Sequence, residues 1–429
     1  MYRITVFTFF CIIIFTFLFT SCVKNETVEV NDTVEVNGIV EVADEPAESA
    51  AAVGDAITLS PSAIVPDQPA LEFEEEEEPA PAGPIEEYIN TCLSELSVEE
   101  KIGQMFICAF RDNELGVTEI NGAMKDALSA FHVGGAVLFN ENMRDKPQTQ
   151  KLIADLQSAS NIPLFIAVDE EGGVVSRLVA LGYERLPRAS RIGSSGDISL
   201  AFAQGAKIAA NLKELGFNLN FAPVADLSTN KQNTVIGSRA FSDDPQIAGA
   251  MVREFVRGLQ SEGMIATLKH FPGHGDSKED SHYSVATVTH DLERLNEKEL
   301  VPFNMGIEAG AGLVMVGHIS APNITGTDEA AVFSAQIVTA ILREQLGFAG
   351  VIITDAMDMG AVVKYAGPAE AAVKAVLAGV DVLLMPQDLG LAFAGLLKAV
   401  ENGEISESRI DESVKRILRM KARFGIIVQ

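Results

Sequence analysis

The sequence predicts an α/β protein in which residues 85–429 form one domain with a (β/α)8 barrel fold of the TIM type. Two observations support this prediction. Short apolar runs alternate with amphipathic helical stretches eight times, and titratable residues follow several of the runs. Buried parallel strands are continuously apolar, and a barrel mouth collects residues from the carboxyl ends of many strands. A doubly wound sheet is the alternative, but no Gly-x-Gly-x-x-Gly turn joins a strand to a helix.

The apolar runs and helical patterns predict the order of the elements. The candidate strands are Gln104–Phe110, Gly135–Phe139, Leu164–Asp169, Asn218–Ala222, Ala266–His270, Gly312–Gly317, Gly350–Asp355 and Asp381–Met385. The candidate helices include Ile198–Leu215, Pro245–Glu262, Ser334–Leu346, Glu370–Ala378, Leu391–Asn402 and Asp411–Phe424. This alternation makes the barrel the expected architecture.

The first 21 residues have the pattern of a signal peptide of the lipoprotein type. Arg3 is the only early charge, and a nearly uninterrupted apolar run follows over residues 4–19. Phe19-Thr20-Ser21-Cys22 resembles a lipoprotein cleavage box, with Cys22 as the lipidated residue. An ordinary signal peptide and an uncleaved anchor are the alternatives. We therefore expect an exported protein, facing the periplasm or the exterior and held at a membrane only by a lipid anchor.

Residues 22–84 have the composition of a disordered tether. From residue 23 onward they contain sixteen Asp or Glu residues against one Lys, and the segment ends in Pro79-Ala-Pro-Ala-Gly-Pro84. Charge repulsion and proline keep such a chain extended. An edge strand formed by the repeated Thr-Val-Glu-Val-Asn sequence is the alternative.

Charge and cysteine content exclude several classes of function. The net charge of −28 and the lack of a basic patch argue against a nucleic-acid partner. No cysteine or histidine spacing indicates a metal site, so we expect neither a metal nor another cofactor. With Cys11 in the signal peptide and Cys22 lipidated, Cys92 and Cys108 either pair or remain free thiols. We expect a monomer.

Two strings concentrate the candidate chemistry. The first is Lys269-His270-Phe-Pro-Gly-His274-Gly275 with Asp280-Ser281-His282 after it, and the second is Ile353-Thr-Asp355-Ala-Met-Asp358-Met359. Charged or titratable residues at the ends of apolar strands are costly unless they are paired or used. We expect five such residues at the barrel mouth: Asp169, Lys269, His270, His318 and Asp355. For Lys269 and Asp169, an internal salt bridge with a structural role is the alternative.

Together these motifs resemble glycoside hydrolase family 3, in its β-N-acetylglucosaminidase (NagZ-type) branch. The Lys269–His282 region carries the first match, and Thr354-Asp355-Ala-Met-Asp-Met359 resembles the nucleophile strand. Val168-Asp169-Glu-Glu-Gly-Gly173 with Arg177 resembles the third-strand motif, and Gly237-Ser-Arg239-Ala-Phe-Ser242 the fourth-loop motif. The matches follow the family order across roughly residues 95–425.

The resemblance implies a role for each matching residue. Asp355 would be the nucleophile that forms a covalent glycosyl-enzyme, His282 the general acid/base, and Asp280 the carboxylate that orients the imidazole. The implied substrate-binding residues are Asp169, Arg177, Arg239, Lys269 and His270. We expect His274 to shape its loop and Asp226 and Asp358 to be structural, whereas His318 belongs either to the site wall or to the barrel packing.

The implied reaction is hydrolysis of terminal β-linked N-acetylglucosamine from peptidoglycan fragments or chito-oligosaccharides. A β-glucosidase of this family takes its acid/base from a second domain, whereas this chain ends at Gln429, directly after its last helix. A phosphorylase that uses phosphate in place of water stays an alternative, because a histidine acid/base does not repel phosphate. A metal-dependent barrel hydrolase and a non-catalytic carbohydrate-binding lipoprotein are the remaining alternatives. The absence of Trp favours a short pocket and exo action.

Overall fold

Eight parallel strands form the barrel in the computed structural model, which describes residues 83–112, 115–277 and 285–427. The barrel strands are β1 (Phe106–Ala109), β2 (Gly135–Val137), β3 (Phe165–Val168), β4 (Leu219–Asn220), β5 (Ile265–Phe271), β6 (Leu313–Val316), β7 (Val351–Thr354) and β8 (Leu383–Leu384). The predicted signal peptide, Cys22 and all but the last two residues of the predicted tether lie outside the described residues.

The strands follow one another around the barrel in chain order. Each strand from β1 to β6 pairs in parallel with the next strand in the chain, and β1 also pairs with β8. A parallel bridge between Ile353 of β7 and Val382, just before β8, closes the ring. All eight predicted strands are therefore confirmed, most of them shorter than the apolar runs that predicted them. Because the strands are parallel, their carboxyl ends share one face of the barrel.

Helices surround the barrel and occupy the connections between strands. The α-helices are Pro84–Glu95, Val98–Gln104, Gly122–Phe131, Lys146–Ser158, Ala189–Gly193, Ile198–Leu215, Pro245–Ser261, Leu292–Glu297, Leu300–Glu308, Pro322–Thr325, Gly360–Val363, Pro368–Ala378, Leu389–Glu401 and Glu407–Arg423. Short 3₁₀ turns occur at Asn140–Asn142, Leu178–Leu181, Gly237–Arg239 and Ala331–Phe333. Five of the six predicted helices are confirmed with end shifts of at most four residues.

Two sequence predictions differ from the structure. Gln104 does not begin β1 but ends the helix Val98–Gln104, because Ser97 and Glu100 form a reciprocal capping box that starts a helix there. The helix predicted at Ser334–Leu346 spans Gln336–Gln345 and is a π-helix. Over ten residues, apolar positions spaced by one and four residues fit either winding, so the pattern could not distinguish them.

The amino-terminal face of the barrel is tied together by a buried carboxylate. Asp381, just before β8, accepts hydrogen bonds from Arg343, Arg416 and Ser413, and from the backbone amide of Ile352 in β7. The side chain of Asp381 is fully buried. This cluster joins the π-helix and the C-terminal helix to the barrel wall. It lies at the end of the barrel opposite the carboxyl ends of the strands.

The structure shows whether Cys92 and Cys108 form a disulfide. Cys92 and Cys108 are both free, and burial raises the pKa of the Cys108 thiol to about 12. The unpaired alternative for these cysteines is therefore correct. Among the helices of the described region, none has the length and apolarity that crossing a membrane requires.

Candidate active site

A cavity of about 330 Å3 opens at the carboxyl ends of the barrel strands. Side chains from or next to seven strands line it, which is the arrangement expected for a barrel mouth. The lining residues are Arg111, Val137, Phe139, Asp169, Glu171, Val175, Arg177, Phe221, Val235, Arg239, Lys269, His270, His274, Met315, Asp355, Ala356, Asp358, Met359, Leu384 and Met385. The cavity thus brings together six predicted residues: Asp169, Arg177, Arg239, Lys269, His270 and Asp355.

Asp355 follows β7 directly and reaches the cavity from the barrel wall. Its backbone amide donates to the carbonyl oxygen of Val316 in β6, and its Oδ1 accepts a hydrogen bond of 2.8 Å from the amide of Ala356. Burial raises the pKa of this carboxyl, but His270, His318 and the Ala356 amide together outweigh burial and lower it. Asp355 is therefore ionised at neutral pH, as a carboxylate nucleophile must be.

Four charged side chains that line the same cavity as Asp355 form a continuous network. Lys269 Nζ lies 2.7 Å from Asp169 Oδ1 and 2.7 Å from Glu171 Oε1. Arg239 donates to both oxygens of Glu171, at 2.7 and 2.9 Å, and its third contact is the carbonyl of Val235. Burial disfavours each charge, yet the opposite charges dominate: the pKa of Glu171 is lowered, and those of Arg239 and Lys269 are raised. The network is a fixed set of donors and acceptors on the cavity wall.

Glu171 is the member of this network that the sequence analysis missed. It is almost fully buried and neutralises both Arg239 and Lys269. A count of charges could have found Glu171. Lys269 and Arg239 carry two positive charges, and Asp169 balances only one of them, so a second buried carboxylate is required. Lys269 and His270 lie inside β5, as in the predicted strand Ala266–His270, and the strand extends one residue further at each end.

His270 is held in one orientation by Asp226. The ring Nδ1 lies 2.7 Å from Asp226 Oδ2, and the same carboxylate accepts the backbone amides of His270 and His274. Asp226 is buried, and although burial raises its pKa, the interactions with His270 and His274 together lower it. His274 in turn contacts Ser277 through Nδ1, at 2.9 Å. Asp226 thus directs Nε2 of His270 away from itself, and the predicted structural role of Asp226 agrees with these contacts.

His318 supports the turn after β7 and does not line the cavity. It is fully buried, and its Nε2 lies 2.9 Å from the carbonyl oxygen of Ala356. Burial lowers the pKa of His318, so the neutral ring donates through Nε2. Of the two alternatives for this residue, barrel packing is the one that matches its full burial and its contact with Ala356.

Arg177 and Arg111 form the more open side of the cavity. The Arg111 guanidinium lies 4.3 Å from the centre of the Phe139 ring, and that of Arg177 lies 5.9 Å from it. Arg111 also pairs with Glu141 at 3.3 Å. Within the described part of the chain, Nε of Arg177 is buried and makes no hydrogen bond. Asp358, expected to be structural, lines this side as well, and burial raises its pKa.

The predicted pair Asp280 and His282 lies outside the described residues, which stop at Ser277 and resume at Val285. Within the described ranges, no group of three or more His, Cys, Asp or Glu side chains could hold a metal ion.

The chain matches the model of the glycosyl hydrolase family 3 N-terminal domain over residues 97–420. It is 32% identical to beta-hexosaminidase A of Pseudoalteromonas piscicida over 368 residues, which covers 76% of this chain and 61% of that enzyme. It is 39% identical to a beta-hexosaminidase of Xylella fastidiosa strain M12, covering 66% of this chain and 83% of the relative.

Solved structures show the same relationship. A family 3 β-N-acetylglucosaminidase from a Paenibacillus species superimposes with a TM-score of 0.74 at 38% identity, over 77% of this chain and 63% of that one. A beta-glucoside phosphorylase superimposes with a TM-score of 0.71 at 26% identity, over 80% of this chain and 62% of that one. The barrel, the cavity and these similarities agree: the chain belongs to glycosyl hydrolase family 3, through the family's N-terminal domain.

Proposed function

We propose that this protein is a retaining exo-β-N-acetylglucosaminidase that releases terminal β-linked N-acetylglucosamine from peptidoglycan fragments or chito-oligosaccharides. The observation that carries the proposal is the cavity itself, which is lined both by the ionised Asp355 and by the Asp169–Lys269–Glu171–Arg239 network. A closed barrel beneath a cavity of about 330 Å3 suits the end of a sugar chain better than its middle. The beta-hexosaminidases and the β-N-acetylglucosaminidase among the relatives support this substrate class.

In the first step a carboxylate oxygen of Asp355 bonds to the anomeric carbon as the glycosidic C–O bond breaks. The leaving oxygen takes a proton from His282. In the second step a water oxygen attacks the anomeric carbon, its proton passes to His282, and the bond to Asp355 breaks. Each step inverts the anomeric carbon, so the product retains the β configuration.

In this proposal Asp280 orients the His282 imidazole and stabilises its protonated form. An imidazole has an unperturbed pKa near neutrality, which suits a group that must donate a proton in one step and accept one in the next. Asp280→Ala should therefore slow both steps and leave substrate affinity nearly unchanged.

The Asp169–Lys269–Glu171–Arg239 network supplies the contacts for the sugar hydroxyls. Asp169 lines the cavity and stays partly accessible for binding: its side chain is 21% accessible, whereas that of Lys269 is only 3% accessible. A carboxylate accepts from two hydroxyls, and the Arg177 guanidinium can donate to a third group. Glu171 holds Lys269 and Arg239 at fixed positions, so these donors are in place before substrate binds.

A phosphorylase that uses inorganic phosphate as the acceptor is the second candidate. Two observations favour keeping it: the beta-glucoside phosphorylase among the similar structures, and the buried Nε of Arg177, which lacks a hydrogen bond in the described region. A buried guanidinium nitrogen with spare bonding capacity suits an anion.

The deciding experiment compares an aryl β-N-acetylglucosaminide, an aryl β-glucoside and a purified muropeptide, each with and without phosphate. We expect the N-acetylglucosaminide and the muropeptide to be hydrolysed at rates that phosphate does not change. Sugar 1-phosphate as the main product would establish the phosphorylase, and preference for the glucoside would refute the proposed substrate.

We also propose that Cys22 carries a lipid that holds the enzyme at a membrane after export. The apolar segment and the cleavage box in the sequence support this assignment. Metabolic labelling with a fatty acid should mark the full-length protein, and Cys22→Ala should abolish the label and release activity into the soluble fraction. Label that persists in Cys22→Ala would refute the anchor.

A further inference from the structure

We infer that His318 is a positioning residue for the nucleophile, and that it acts by fixing the turn that carries Asp355. His318 is fully buried and is not among the residues that line the cavity. Its Nε2 lies 2.9 Å from the carbonyl oxygen of Ala356, the residue directly after Asp355. The inference rests on the proposed function, because it concerns the residue that would attack the anomeric carbon.

The backbone of this turn is held on both sides of Ala356. The amide of Asp355 donates to a carbonyl of β6 and the amide of Met357 to a carbonyl of β8, each at 2.9 Å. The carbonyl of Ala356 accepts the amide of Met359 at 3.2 Å and the ring of His318. The His318 contact therefore adds a side chain from the end of β6 to the residue that lies between the two anchored amides.

Ala356 also sets the direction of the Asp355 carboxylate. Its amide donates to Oδ1 of Asp355 at 2.8 Å, and such a bond weakens when the N–H turns away from the oxygen. Because the ring of His318 fixes the carbonyl of Ala356, the amide of the same residue stays directed at Oδ1. Loss of the ring would let Ala356 rotate and shift the carboxylate relative to the anomeric carbon.

The second ring nitrogen of His318 indicates that the residue does more than fill space. Nδ1 is buried and makes no hydrogen bond within the part of the chain that the structure describes. An apolar side chain of similar volume would avoid that cost, as the four apolar residues of β6 do. Such a side chain would lack the Nε2 donor, so the contact with Ala356 is what distinguishes histidine at this position.

The ring of His318 makes this contact in its neutral form. The carboxylates of Asp355 and Asp358 favour the protonated ring, but burial outweighs them and lowers the pKa of His318. A neutral ring holds the carbonyl of Ala356 without adding a further positive charge beside the nucleophile. Such a charge would stabilise the free carboxylate more than the glycosyl-enzyme, in which the negative charge is lost, and would slow the attack.

The test measures kcat/KM for 2,4-dinitrophenyl β-N-acetylglucosaminide, whose leaving group departs without protonation, so that the rate reports attack by Asp355. The variants are His318→Gln, His318→Asn and His318→Leu. Glutamine can place an amide donor near the position of Nε2, asparagine is too short to do so, and leucine has no donor. The inhibition constant of N-acetylglucosamine and the melting temperature are measured for each variant.

Two further variants serve as references. Asp355→Asn gives the loss expected without the nucleophile. Thr339→Val is the matched control, because it removes a side-chain hydrogen bond of 2.7 Å to a backbone carbonyl, that of Ala378, and neither residue lines the cavity. Thr339→Val should lose stability and keep the kcat/KM of the unchanged protein.

We expect His318→Asn and His318→Leu to lose about tenfold in kcat/KM, since a small displacement of a reacting group is enough for such a loss, and His318→Gln to lose less than about threefold. The inhibition constant should change by less than about twofold, because the proposed sugar contacts come from other strands. If His318→Leu does not fold, the comparison of His318→Asn with His318→Gln carries the test, since both bury an amide.

Three results overturn the inference. Equal kcat/KM for folded His318→Asn and His318→Gln, or a loss of stability alone as in Thr339→Val, would leave His318 a packing residue. A rise in the inhibition constant as large as the loss of kcat/KM would indicate distortion of the whole cavity. Full turnover by Asp355→Asn would show that the proposed nucleophile is wrong, and the positioning role would fall with it.

Discussion

The barrel holds a buried charge cluster at each end, and the two clusters differ in what surrounds them. At the amino-terminal end, the single carboxylate of Asp381 accepts hydrogen bonds from four donors, Arg343, Arg416, Ser413 and the Ile352 amide, and Arg409 lies 3.9 Å away as an ion-pair partner. These donors close off the carboxylate, whose side chain is fully buried. At the carboxyl-terminal end, the Asp169–Lys269–Glu171–Arg239 network borders a cavity.

The difference shows how to separate a structural cluster from a binding site. The arginines around Asp381 also donate to backbone carbonyls, as Arg343 does to Gly350 and Arg409 does to Val380. At the other end, Asp169 keeps an accessible oxygen and Arg177 keeps a buried Nε without a partner in the described region. Buried charge is shared by both ends, whereas of these two clusters only the one at the mouth has spare bonding capacity beside a cavity.

The largest effect should come from Asp355→Asn at the mouth. Because the amide cannot form the glycosyl-enzyme, we expect kcat/KM on an aryl N-acetylglucosaminide to fall by at least about 10³-fold. The melting temperature should change little, since the hydrogen bond that the Asp355 side chain accepts from the described residues is a local one, from the Ala356 amide. The exposed Asp328→Asn is the control and should keep full activity. Full turnover by Asp355→Asn would refute the assigned nucleophile.

Glu171→Gln tests whether the mouth network serves binding as well as folding. The change leaves Lys269 and Arg239 without their shared carboxylate, and we expect a loss of about 10²-fold in kcat/KM because both donors shift. Stability should also fall, because two buried cations lose compensation. Kinetics and thermal unfolding measured together check this; unchanged kinetics with a lower melting temperature would make the network purely structural.

Asp381→Asn is the counterpart at the closed end. Removal of one partner from a buried ion cluster should lower the free energy of unfolding by about 3–5 kcal/mol. Because no atom of this cluster borders the cavity, kcat/KM per folded molecule should equal that of the unchanged protein. Urea unfolding with activity measured well below the transition separates the two quantities. A catalytic defect in fully folded Asp381→Asn would break the distinction between the two ends.

The smallest effect concerns Lys421, a fully buried lysine of the C-terminal helix whose Nζ donates to Gln104. Burial lowers its pKa from 10.5 to about 7. Between these values the unfolded chain binds the proton that the folded protein has lost, so stability rises with pH by up to about 1.4 kcal/mol per pH unit. Lys421→Met should flatten this rise between pH 7.5 and 9 in denaturant titrations. If the free energy of unfolding depends on pH in the same way in Lys421→Met and in the unchanged protein, Lys421 is not a neutral residue in the folded state.

The sequence predicted the barrel strands well because buried parallel strands are uninterrupted apolar runs, as in Val351–Thr354. It misplaced Gln104, where a local capping box outweighed the apolar pattern that continues into β1. Single motifs also located Asp169, Lys269 and Asp355 at the mouth. The partners of these residues were harder to predict: Glu171 and Arg239 are 68 residues apart, and their pairing depends on packing between two loops. Asp280 and His282 remain predictions from the sequence.

The assignment of Asp355 as nucleophile is tested most directly by trapping the glycosyl-enzyme. The protein is incubated with a 5-fluoro-N-acetylglucosaminyl fluoride, a reagent whose glycosyl-enzyme forms faster than that glycosyl-enzyme is hydrolysed. The protein is then digested, and the peptide masses are measured by mass spectrometry. We expect one sugar residue on the peptide that contains Asp355, and none in Asp355→Asn or after prior incubation with N-acetylglucosamine. A sugar bound to a different carboxylate, or steady turnover of aryl substrate with no trapped sugar, would contradict Asp355 as the nucleophile.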